Sequence, residues 1–437
     1  MTIPKKWRVR SLIATGLLGA VVSTVLVASS GEAAEQGGSG HKSPEWVGSW
    51  AASVTRGNAT GQSFAGLNNQ SVRMIVHTSV GGAKIRIRLT NLHGEKAIEV
   101  GRATVAKPNT ATPELSDIDA ASTRELRFNG SPTATINRGA ELLSDPIDMR
   151  LADDQDLVVS VFFPAATGLA TFHQTTRQTN FLGAGDVAAA ADGAGYATQQ
   201  NCCWYFLSGV DVLRQDSGGT VGVFADSLAD GHGTTLNGNL RWPDQLADRL
   251  LTVKHGDIPG VLNFGLGGSR LTHEGNEPGD GSFPGNFALG TNALARMNED
   301  VFSETGLHTV VLDLGINDIW MNNEPADKII AALRQINQQT RERGIQVIIG
   351  TLGPFNGLTV VGDVWSADKE ATRNAVNTYI REHRYEFDAV VDFDKLLSDP
   401  ADPTRLKAEF DSGDHIHPND AGSKAMAEAI PLNLIVR

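Results

Sequence analysis

The chain has 437 residues, of which 41% are hydrophobic and 20% charged, a composition typical of a folded globular protein and not of a disordered or fibrous one. Its 37 basic and 50 acidic residues give a formal net charge of -13, which argues against a protein that binds nucleic acid through a basic surface. At roughly 100 to 200 residues per domain, the length favours two folded domains, or one large domain with an appendage.

The N-terminus has the features of an export signal. Basic residues between Lys5 and Arg10 precede an uncharged stretch over residues 11–30 and the small residues before Ala34. We therefore expect residues 1–34 to be a cleaved signal peptide, so that the protein is secreted and keeps no membrane span. The alternative is a retained anchor, because about 20 uncharged residues can just cross a bilayer.

The next part of the chain predicts an antiparallel β-sandwich. Residues 35–43 form a polar, glycine-rich linker. From residue 44 to 215 apolar and polar residues alternate with period two, most clearly from Ile85 to Leu89. Strand candidates occupy residues 72–80, 85–89, 126–128, 133–136, 157–163 and 205–212. The first two are separated by Gly81-Gly82, which predicts a hairpin, and the many short strands predict a sandwich over residues 44–215.

The sequence has two cysteines, and they are adjacent, so no disulfide framework holds the fold. Consecutive Cα atoms lie about 3.8 Å apart, below the usual disulfide range, so a bridge between Cys202 and Cys203 would be strained. Two interpretations stay open: a bridge between neighbours, and two reduced thiols in a buried strand beside Trp204.

Beyond a polar junction at residues 214–220, the pattern changes to alternating apolar runs and helices. The apolar runs have the length of buried parallel strands and cover residues 221–224, 261–264, 309–314, 345–349 and 389–393. Helical patterns cover residues 325–343 and 366–384, and a third begins after Asp420. These β-α repeats predict a parallel sheet over residues 216–437, with its chemistry in loops beyond the carboxyl ends of the strands.

Three polar clusters follow predicted strands. Ser227 stands in a turn after the first apolar run, Gly268 in a glycine-rich turn after the second, and Asn317 after the third. A serine hydroxyl there can act as a nucleophile, while the N–H groups of Ser227 and Gly268 and the Asn317 amide can donate to an oxyanion. Each cluster also has an alternative interpretation. Ser227 can be a helix cap, the turn with Gly268 can be a dinucleotide loop, although it lacks the G-x-G-x-x-G spacing, and Asn317 can form an Asx turn.

A fourth cluster contains the candidate base. Asp414 stands three residues before His417, so its carboxylate can fix the imidazole tautomer and leave Nε2 free to take a proton from a serine. A metal site is the rival interpretation, because His415, His417 and Asp414 are three potential ligands. Against it, the neighbouring side chains are expected to point apart, and His415 is interpreted as an exposed loop residue.

Together these clusters resemble the four sequence blocks of SGNH hydrolases of the GDSL esterase type. The blocks are met by Ala225-Asp226-Ser227-Leu228, by Gly268, by Gly315-x-Asn317-Asp318 and by Asp414-x-x-His417. The resemblance implies a flavodoxin-like three-layer α/β/α fold for residues 216–437. It also implies Ser227 as nucleophile, His417 as base, Asp414 as its partner, and an oxyanion hole formed by Ser227, Gly268 and Asn317.

The resemblance extends upstream. Residues 46–50, 76–80 and 144–146 resemble the β-rich N-terminal half of secreted actinobacterial proteins of this group. One position departs from the family, because Ala225 stands where glycine usually precedes the aspartate. If that position requires a positive φ or close packing against the loop, a methyl group would cost about 1 kcal/mol or more and could tilt the serine, although we expect activity to survive.

The sequence therefore predicts a secreted serine esterase that forms an acyl-enzyme and needs no metal or organic cofactor. Because His417 must be neutral to accept a proton, activity is expected to fall on acidification. The preferred substrate is a short-acyl ester or an acetylated carbohydrate. Two alternatives stay open: an acylhydrolase of lipid esters, and a non-catalytic glycan-binding protein in which Trp46, Trp50 and Trp204 form a sugar platform instead of filling the core.

Overall fold

A computed structural model describes residues 43–277 and 286–437 of the chain. The predicted signal peptide and all but the last residue of the predicted linker lie outside these ranges. Within them, no helix is both long enough and apolar enough to cross a membrane.

Antiparallel sheets make up the first part of the described chain. The strands are β1 (Glu45–Ala51), β2 (Thr55–Arg56), β3 (Gln70–Thr78), β4 (Lys84–Thr90), β5 (Ile98–Val100), β6 (Arg102–Ala106), β7 (Arg124–Glu125), β8 (Ala134–Ile136), β9 (Glu141–Leu143), β10 (Gln155–Phe163), β11 (Thr171–His173), β12 (Asn180–Ala184), β13 (Tyr196–Gln199), β14 (Trp204–Tyr205) and β15 (Leu207–Arg214). A short helix, α1 (Gly61–Ala65), lies between β2 and β3.

The two largest antiparallel sheets share one core. One has the order β1-β15-β4-β9 and the other the order β13-β12-β3-β10-β6-β7. Alternate residues of both sheets, among them Ile85, Ile87, Val76 and Val159, belong to a single buried cluster. The period-two pattern of the sequence therefore has the physical cause expected for a sandwich, since every second side chain points into the space between the sheets.

The hairpin predicted at Gly81-Gly82 is wrong. β3 lies between β12 and β10, whereas β4 lies between β15 and β9 in the other sheet. The connection passes against another segment of backbone, because a Cβ on Gly81 would lie 2.2 Å from the Leu151 carbonyl oxygen and Gly82 itself pairs with Leu151. The two glycines thus allow the chain to cross between sheets at close range, a use that local sequence does not distinguish from a tight turn.

Asn129 and Gly130 form a tight turn. Both residues have positive φ, of 52° and 81°, and Phe128 pairs with Ser131 across them. These dihedral signs are those of the type I′ turn that joins antiparallel strands.

The tryptophans of the proposed sugar platform do not form one. Trp50 and Trp204 are buried and meet edge to face, with their ring centroids 4.8 Å apart. Trp46 is half-buried, and the Arg86 guanidinium lies over its ring. Trp50 and Trp204 therefore belong to the core.

Immediately before Trp204, the structure joins Cys202 and Cys203 in a disulfide.

The second part of the described chain contains a five-stranded parallel sheet. Its strands are β16 (Thr220–Ala225), β17 (Gly260–Gly265), β18 (Leu307–Asp313), β19 (Gln346–Gly350) and β20 (Ala389–Val391). Its helices are α2 (Ser227–Asp230), α3 (Trp242–Leu251), α4 (Ala293–Met297), α5 (Ile316–Asn322), α6 (Ala326–Arg341), α7 (Ala367–Glu382), α8 (Phe393–Leu397) and α9 (Asp420–Ala429). The strand order β17-β16-β18-β19-β20 is the flavodoxin-like order, as the resemblance implied.

Helices cover both faces of this sheet. Phe224 and Leu312 point into a core that also contains residues of α5, α6 and α7, whereas their neighbours Val223 and Val311 point into a second core with residues of α3 and α9. Because successive side chains of a strand point to opposite faces, an uninterrupted apolar run fills both cores. The result is the three-layer α/β/α architecture.

The antiparallel and parallel parts pack directly against each other within one compact unit, Lys42–Arg437. A Cβ on Gly260 of β17 would lie 1.9 Å from the Gly48 carbonyl oxygen of β1. The buried ion pair between Arg88 and Glu304 also joins the two parts, with Nη1 3.0 Å from Oε1. The change from antiparallel to parallel pairing falls between Arg214 and Thr220.

Candidate active site

The candidate nucleophile stands at the carboxyl end of a central strand. β16 ends at Ala225, and Ser227 is the first residue of α2. Asp226 caps this helix, since its Oδ1 accepts the Leu228 N–H at 3.0 Å. The neighbouring strand β18 leads into α5, which carries Asn317. The connections from these two strands run in opposite directions along the sheet, which opens a crevice between them.

Ser227 is hydrogen-bonded to the candidate base. The Oγ atom lies 2.8 Å from His417 Nε2, and His417 Nδ1 lies 2.6 Å from Asp414 Oδ2. Asp414 Oδ1 also accepts the backbone N–H of His417 at 2.9 Å. The carboxylate thus fixes the tautomer of the ring, with Nδ1 as donor and Nε2 as acceptor for the serine proton.

The electrostatics of Asp414 suit this role. Burial opposes the charge of the carboxylate, but the hydrogen bonds from the ring and backbone of His417 outweigh it and hold the pKa of Asp414 well below its ordinary value. The adjacent His415 makes a separate pair, with Nδ1 2.5 Å from Asp411 Oδ2, and its side chain is 39% exposed. His415 and His417 therefore point to different carboxylates.

A glycine turn lies beside the serine. Gly268 has a φ of 73°, and a Cβ there would lie 2.6 Å from Leu289 Cδ2, so both the backbone conformation and the space favour glycine. Among the described residues, no backbone acceptor faces the N–H of Ser227 or Gly268. Both groups are thus available to a ligand in the crevice.

Asn317 is held in one orientation. Trp320 Nε1, which can only donate, lies 2.7 Å from Asn317 Oδ1, and this contact identifies the other amide atom as nitrogen. The Nδ2 atom donates to Asp226 Oδ2 and to the Ser269 carbonyl oxygen, each at 3.0 Å. For Asn317 to donate to an oxyanion, one of these two contacts must be exchanged.

Three buried carboxyl groups lie behind the serine. Burial, followed by the charge of Asp313, raises the pKa of Asp226 well above its ordinary value. Burial raises the pKa of Asp313 to about 7. The pKa of Asp318 rises to about 6, because the effect of burial outweighs the N–H groups of Leu271 and Thr272, which favour the charged form. Burial thus raises the pKa of the acidic motif residue in both the first and the third block.

Ala225 is accommodated without strain. It is an ordinary strand residue, paired with Gly265 on one side and Asp313 on the other, and its φ is not positive. Its side chain is fully buried in the core that contains Trp242. The backbone conformation here is that of an extended strand, so it does not require glycine.

A cleft of about 170 Å³ opens above Ser227. Its lining includes four apolar residues, Leu266, Leu289, Trp320 and Met321, which we call the apolar wall. It also includes four polar residues, Gln174, Thr175, Asp230 and His232, which we call the polar wall. Gln174 and Thr175 follow β11, so the antiparallel part of the chain contributes directly to the site.

Two histidines near the site, His232 and His173, were not predicted from the sequence. His232 stacks on His417 with ring centroids 5.0 Å apart. Burial, and then the electrostatic interaction with His417, lower the pKa of His232 to about 4, so it stays neutral beside the candidate base. Its position five residues after Ser227 is the sequence feature that could have associated His232 with the site. His173, at the end of a three-residue strand, has no such feature.

Residues 225–425 match the model of the GDSL-like lipase/acylhydrolase family. Similar solved structures include a family two carbohydrate esterase from Clostridium thermocellum in complex with cellohexaose, 11% identical over 80% of this chain and 90% of that one, with a TM-score of 0.36. A GDSL-like lipase from Bacteroides thetaiotaomicron VPI-5482 is 15% identical over 50% of this chain and 88% of that one, with a TM-score of 0.35. The acetyl xylan esterase AlAXEase is 19% identical over 48% of this chain and 96% of that one, with a TM-score of 0.34.

Among curated proteins, no sequence matches this chain. The identities and TM-scores of these solved structures are too low to support a conclusion about the substrate. The family match does not depend on them, and it spans the segments that carry Ser227, Gly268, Asn317, Asp414 and His417. Residues 225–425 are accordingly a domain of the GDSL-like lipase/acylhydrolase family, and the chain is a serine hydrolase that acts on ester bonds.

Proposed function

We propose that the chain hydrolyses short-acyl esters, with an acetylated carbohydrate as the preferred class, through an acyl-enzyme on Ser227. His417 takes the serine proton and returns it to the leaving alcohol, while Asp414 orients the imidazole. The N–H groups of Ser227 and Gly268, with the Asn317 amide after its contact is exchanged, stabilise the oxyanion. Water then releases the acid. The carrying observation is the hydrogen-bonded chain from Ser227 Oγ through His417 to Asp414.

The cleft supports a small acyl group. Its volume of about 170 Å³ is close to that of a cavity that holds benzene, about 150 Å³, and below the roughly 300 to 1,000 Å³ typical of sites for drug-sized ligands. Acetyl to butyryl groups fit this space against the apolar wall. The polar wall offers hydrogen bonds to an alcohol that carries further hydroxyl groups, which is why a carbohydrate is preferred over a lipid.

The adjacent Asp–His pair provides a matched control for the base. His417→Ala and Asp414→Asn remove parts of the hydrogen-bonded chain, whereas His415→Ala and Asp411→Asn remove the neighbouring pair in the same loop. With a chromogenic acetate ester as substrate, we expect kcat to fall by about 10³-fold or more in His417→Ala and in Ser227→Ala, and to stay near wild type in His415→Ala. A metal chelator is expected to leave the rate unchanged. Equal losses in the two histidine variants would contradict the assignment.

The polar wall can be tested through Gln174. Asn58 Nδ2 donates to Gln174 Oε1 at 2.9 Å, and the Ala288 N–H donates to Asn58 Oδ1 at 3.0 Å, so the Gln174 amide nitrogen is left for the cleft. For Gln174→Leu, we expect kcat/KM to fall by about 10-fold on an acetylated sugar and to change little on phenyl acetate. Equal effects on both esters would remove the proposed contact with the alcohol.

We also propose that the protein is secreted after cleavage of residues 1–34. The supporting observation is the order of basic, uncharged and small residues before Ala34. Expression of the full chain in a bacterial host, followed by N-terminal sequencing of the exported protein, tests this. We expect a terminus near residue 35, and protein that stays in the membrane fraction with an intact N-terminus would indicate an anchor.

A further inference from the structure

A buried histidine joins the antiparallel part of the chain to the catalytic helix. His173 is the last residue of β11 and is 2% exposed. Its Nδ1 lies 2.7 Å from the Ser53 carbonyl oxygen, and its Nε2 lies 2.8 Å from the Thr175 carbonyl oxygen and 2.9 Å from Asp230 Oδ1. Carbonyl and carboxylate oxygens only accept hydrogen bonds, so both ring nitrogens must carry hydrogen. The ring is therefore an imidazolium that neutralises Asp230.

Asp230 in turn connects the two loops that matter for catalysis. It is the last residue of α2, the helix that begins at Ser227. Its second oxygen, Oδ2, accepts the Gly267 N–H at 2.9 Å, directly before Gly268. One carboxylate thus holds the nucleophile helix and the glycine turn in a fixed relation.

The space around this contact leaves little freedom. A Cβ on Gly265 would lie 2.4 Å from the Asp230 backbone nitrogen, and a Cβ on Gly267 would lie 2.9 Å from His232 Cε1. The helix and the turn are therefore in backbone contact, and a shift of one moves the other. Displacements of about 1 Å at such positions are large enough to lower a catalytic rate by about 10²-fold.

We infer that His173 is a positioning residue of this active site: through its ion pair with Asp230, the antiparallel part of the chain keeps Ser227 and the Gly267-Gly268 turn in catalytic register. The inference rests on the proposed roles of Ser227 and Gly268. It gives the antiparallel part a function in catalysis besides its contribution to the cleft wall.

The surroundings maintain the charge of the pair. Burial by itself lowers the pKa of His173, but the charge and hydrogen bond of Asp230 raise it above the ordinary value. The other charged or titratable groups that interact with Asp230 include Arg177, Arg241, His232 and Asp226. Arg241 also lies over the Trp204 ring that packs on His173. Because the pKa of His173 is raised, the ion pair is lost as the pH rises through that pKa.

The test compares two variants that each break a buried charge pair between the same two parts of the molecule. His173→Gln keeps one donor near Asp230 but loses the charge and the contact with Ser53. Arg88→Met breaks the ion pair with Glu304, which precedes β18 and so lies at the opposite end of the sheet from the site. Competent enzyme is counted by labelling the serine to completion with a fluorophosphonate, and kcat is expressed per labelled serine.

We expect kcat per labelled serine to fall by about 10- to 100-fold in His173→Gln, with a smaller change in KM, while Arg88→Met keeps kcat and lowers only the melting temperature. Normal kcat per labelled serine in His173→Gln would overturn the inference. Retention of activity by Ser227→Ala would instead overturn the proposed function, so the two failures are distinguishable.

If His173→Gln does not fold, the inference can be tested on the wild-type protein. Nitrogen NMR with labelled histidine measures the protonation of the two ring nitrogens of His173. Both nitrogens of His173 are expected to be protonated at pH 8, and the deprotonation at higher pH is expected to coincide with an alkaline loss of kcat. A neutral His173 ring at pH 8, or full kcat above its deprotonation, would overturn the inference.

Discussion

Asp313 is a buried carboxyl group at the end of β18, and its Oδ2 atom has no hydrogen-bond partner among the described residues. Burial raises its pKa to about 7, so the folded chain keeps a proton there that the unfolded chain releases near pH 4. Stability contributed by this group therefore declines as pH rises from about 4 to 7, and the full cost of a buried charge is present above that range.

Asp313→Asn removes this titration while keeping the shape of the side chain. At pH 8 we expect the variant to have a higher melting temperature than wild type and an unfolding free energy larger by on the order of 1 kcal/mol. This difference in stability is expected to shrink toward pH 5. Thermal unfolding of both proteins across this range is the measurement. A difference that grows on acidification would show that Asp313 is charged in the folded state.

Ala225 offers a second prediction for a single residue. Because its methyl group fills the core and its backbone is extended, Ala225→Gly is expected to cost about 0.5 to 1 kcal/mol of stability and to leave ester hydrolysis unchanged. Chemical denaturation and a chromogenic ester assay measure the two effects. Higher activity in the glycine variant would mean that the methyl group does disturb the serine.

Single residues also show how far the sequence predicts the site. Ser227, Gly268 and Asn317 follow strands whose carboxyl ends meet at one edge, so order along the chain was sufficient to bring them together. His173 and Asp230 are separated by 57 positions and lie in different parts of the molecule. No local sequence pattern predicts such a pair, because the two residues come together only when the chain has folded.

At the scale of elements, the contact between β1 and β17 depends on the absence of side chains. A Cβ on Gly260 would lie 1.9 Å from the Gly48 carbonyl oxygen, so Gly260→Ala must push the two strands apart. Gly353→Ala is a matched control, because its Cβ would make an ordinary contact of 3.6 Å with Leu397 Cδ1. We expect Gly260→Ala to lose several kcal/mol of stability or to be insoluble, and Gly353→Ala to unfold near the wild-type temperature. Similar melting temperatures would contradict the close approach.

The elements themselves were predictable to different degrees. The apolar runs of β16 to β20 and the periodic faces of α6 and α7 identified those elements correctly, since each reflects a period that is local in sequence. The pairing of β3 and β4 was not predictable. Gly81-Gly82 suits a tight turn equally well, and the choice of partner strand depends on residues far along the chain, such as Leu151.

For the whole molecule, the sequence indicated a β-sandwich followed by an α/β/α layer structure, and both are present. It did not indicate how closely they associate. Arg88 and Glu304 form a buried ion pair between them, and Gln174 and Thr175 line the cleft over Ser227. In this arrangement the antiparallel part lines the candidate active site rather than forming a separate appendage.

The central claim is that Ser227 forms the acyl-enzyme. Its most direct test is rapid acid quenching of the wild-type protein during turnover of a chromogenic acetate ester, followed by peptide mass spectrometry, with His417→Ala as the comparison. We expect one acetyl group on Ser227 in the wild type and little or none in His417→Ala, because without the base the serine is not activated. Acetylation at another residue, or steady hydrolysis by Ser227→Ala, would contradict the account.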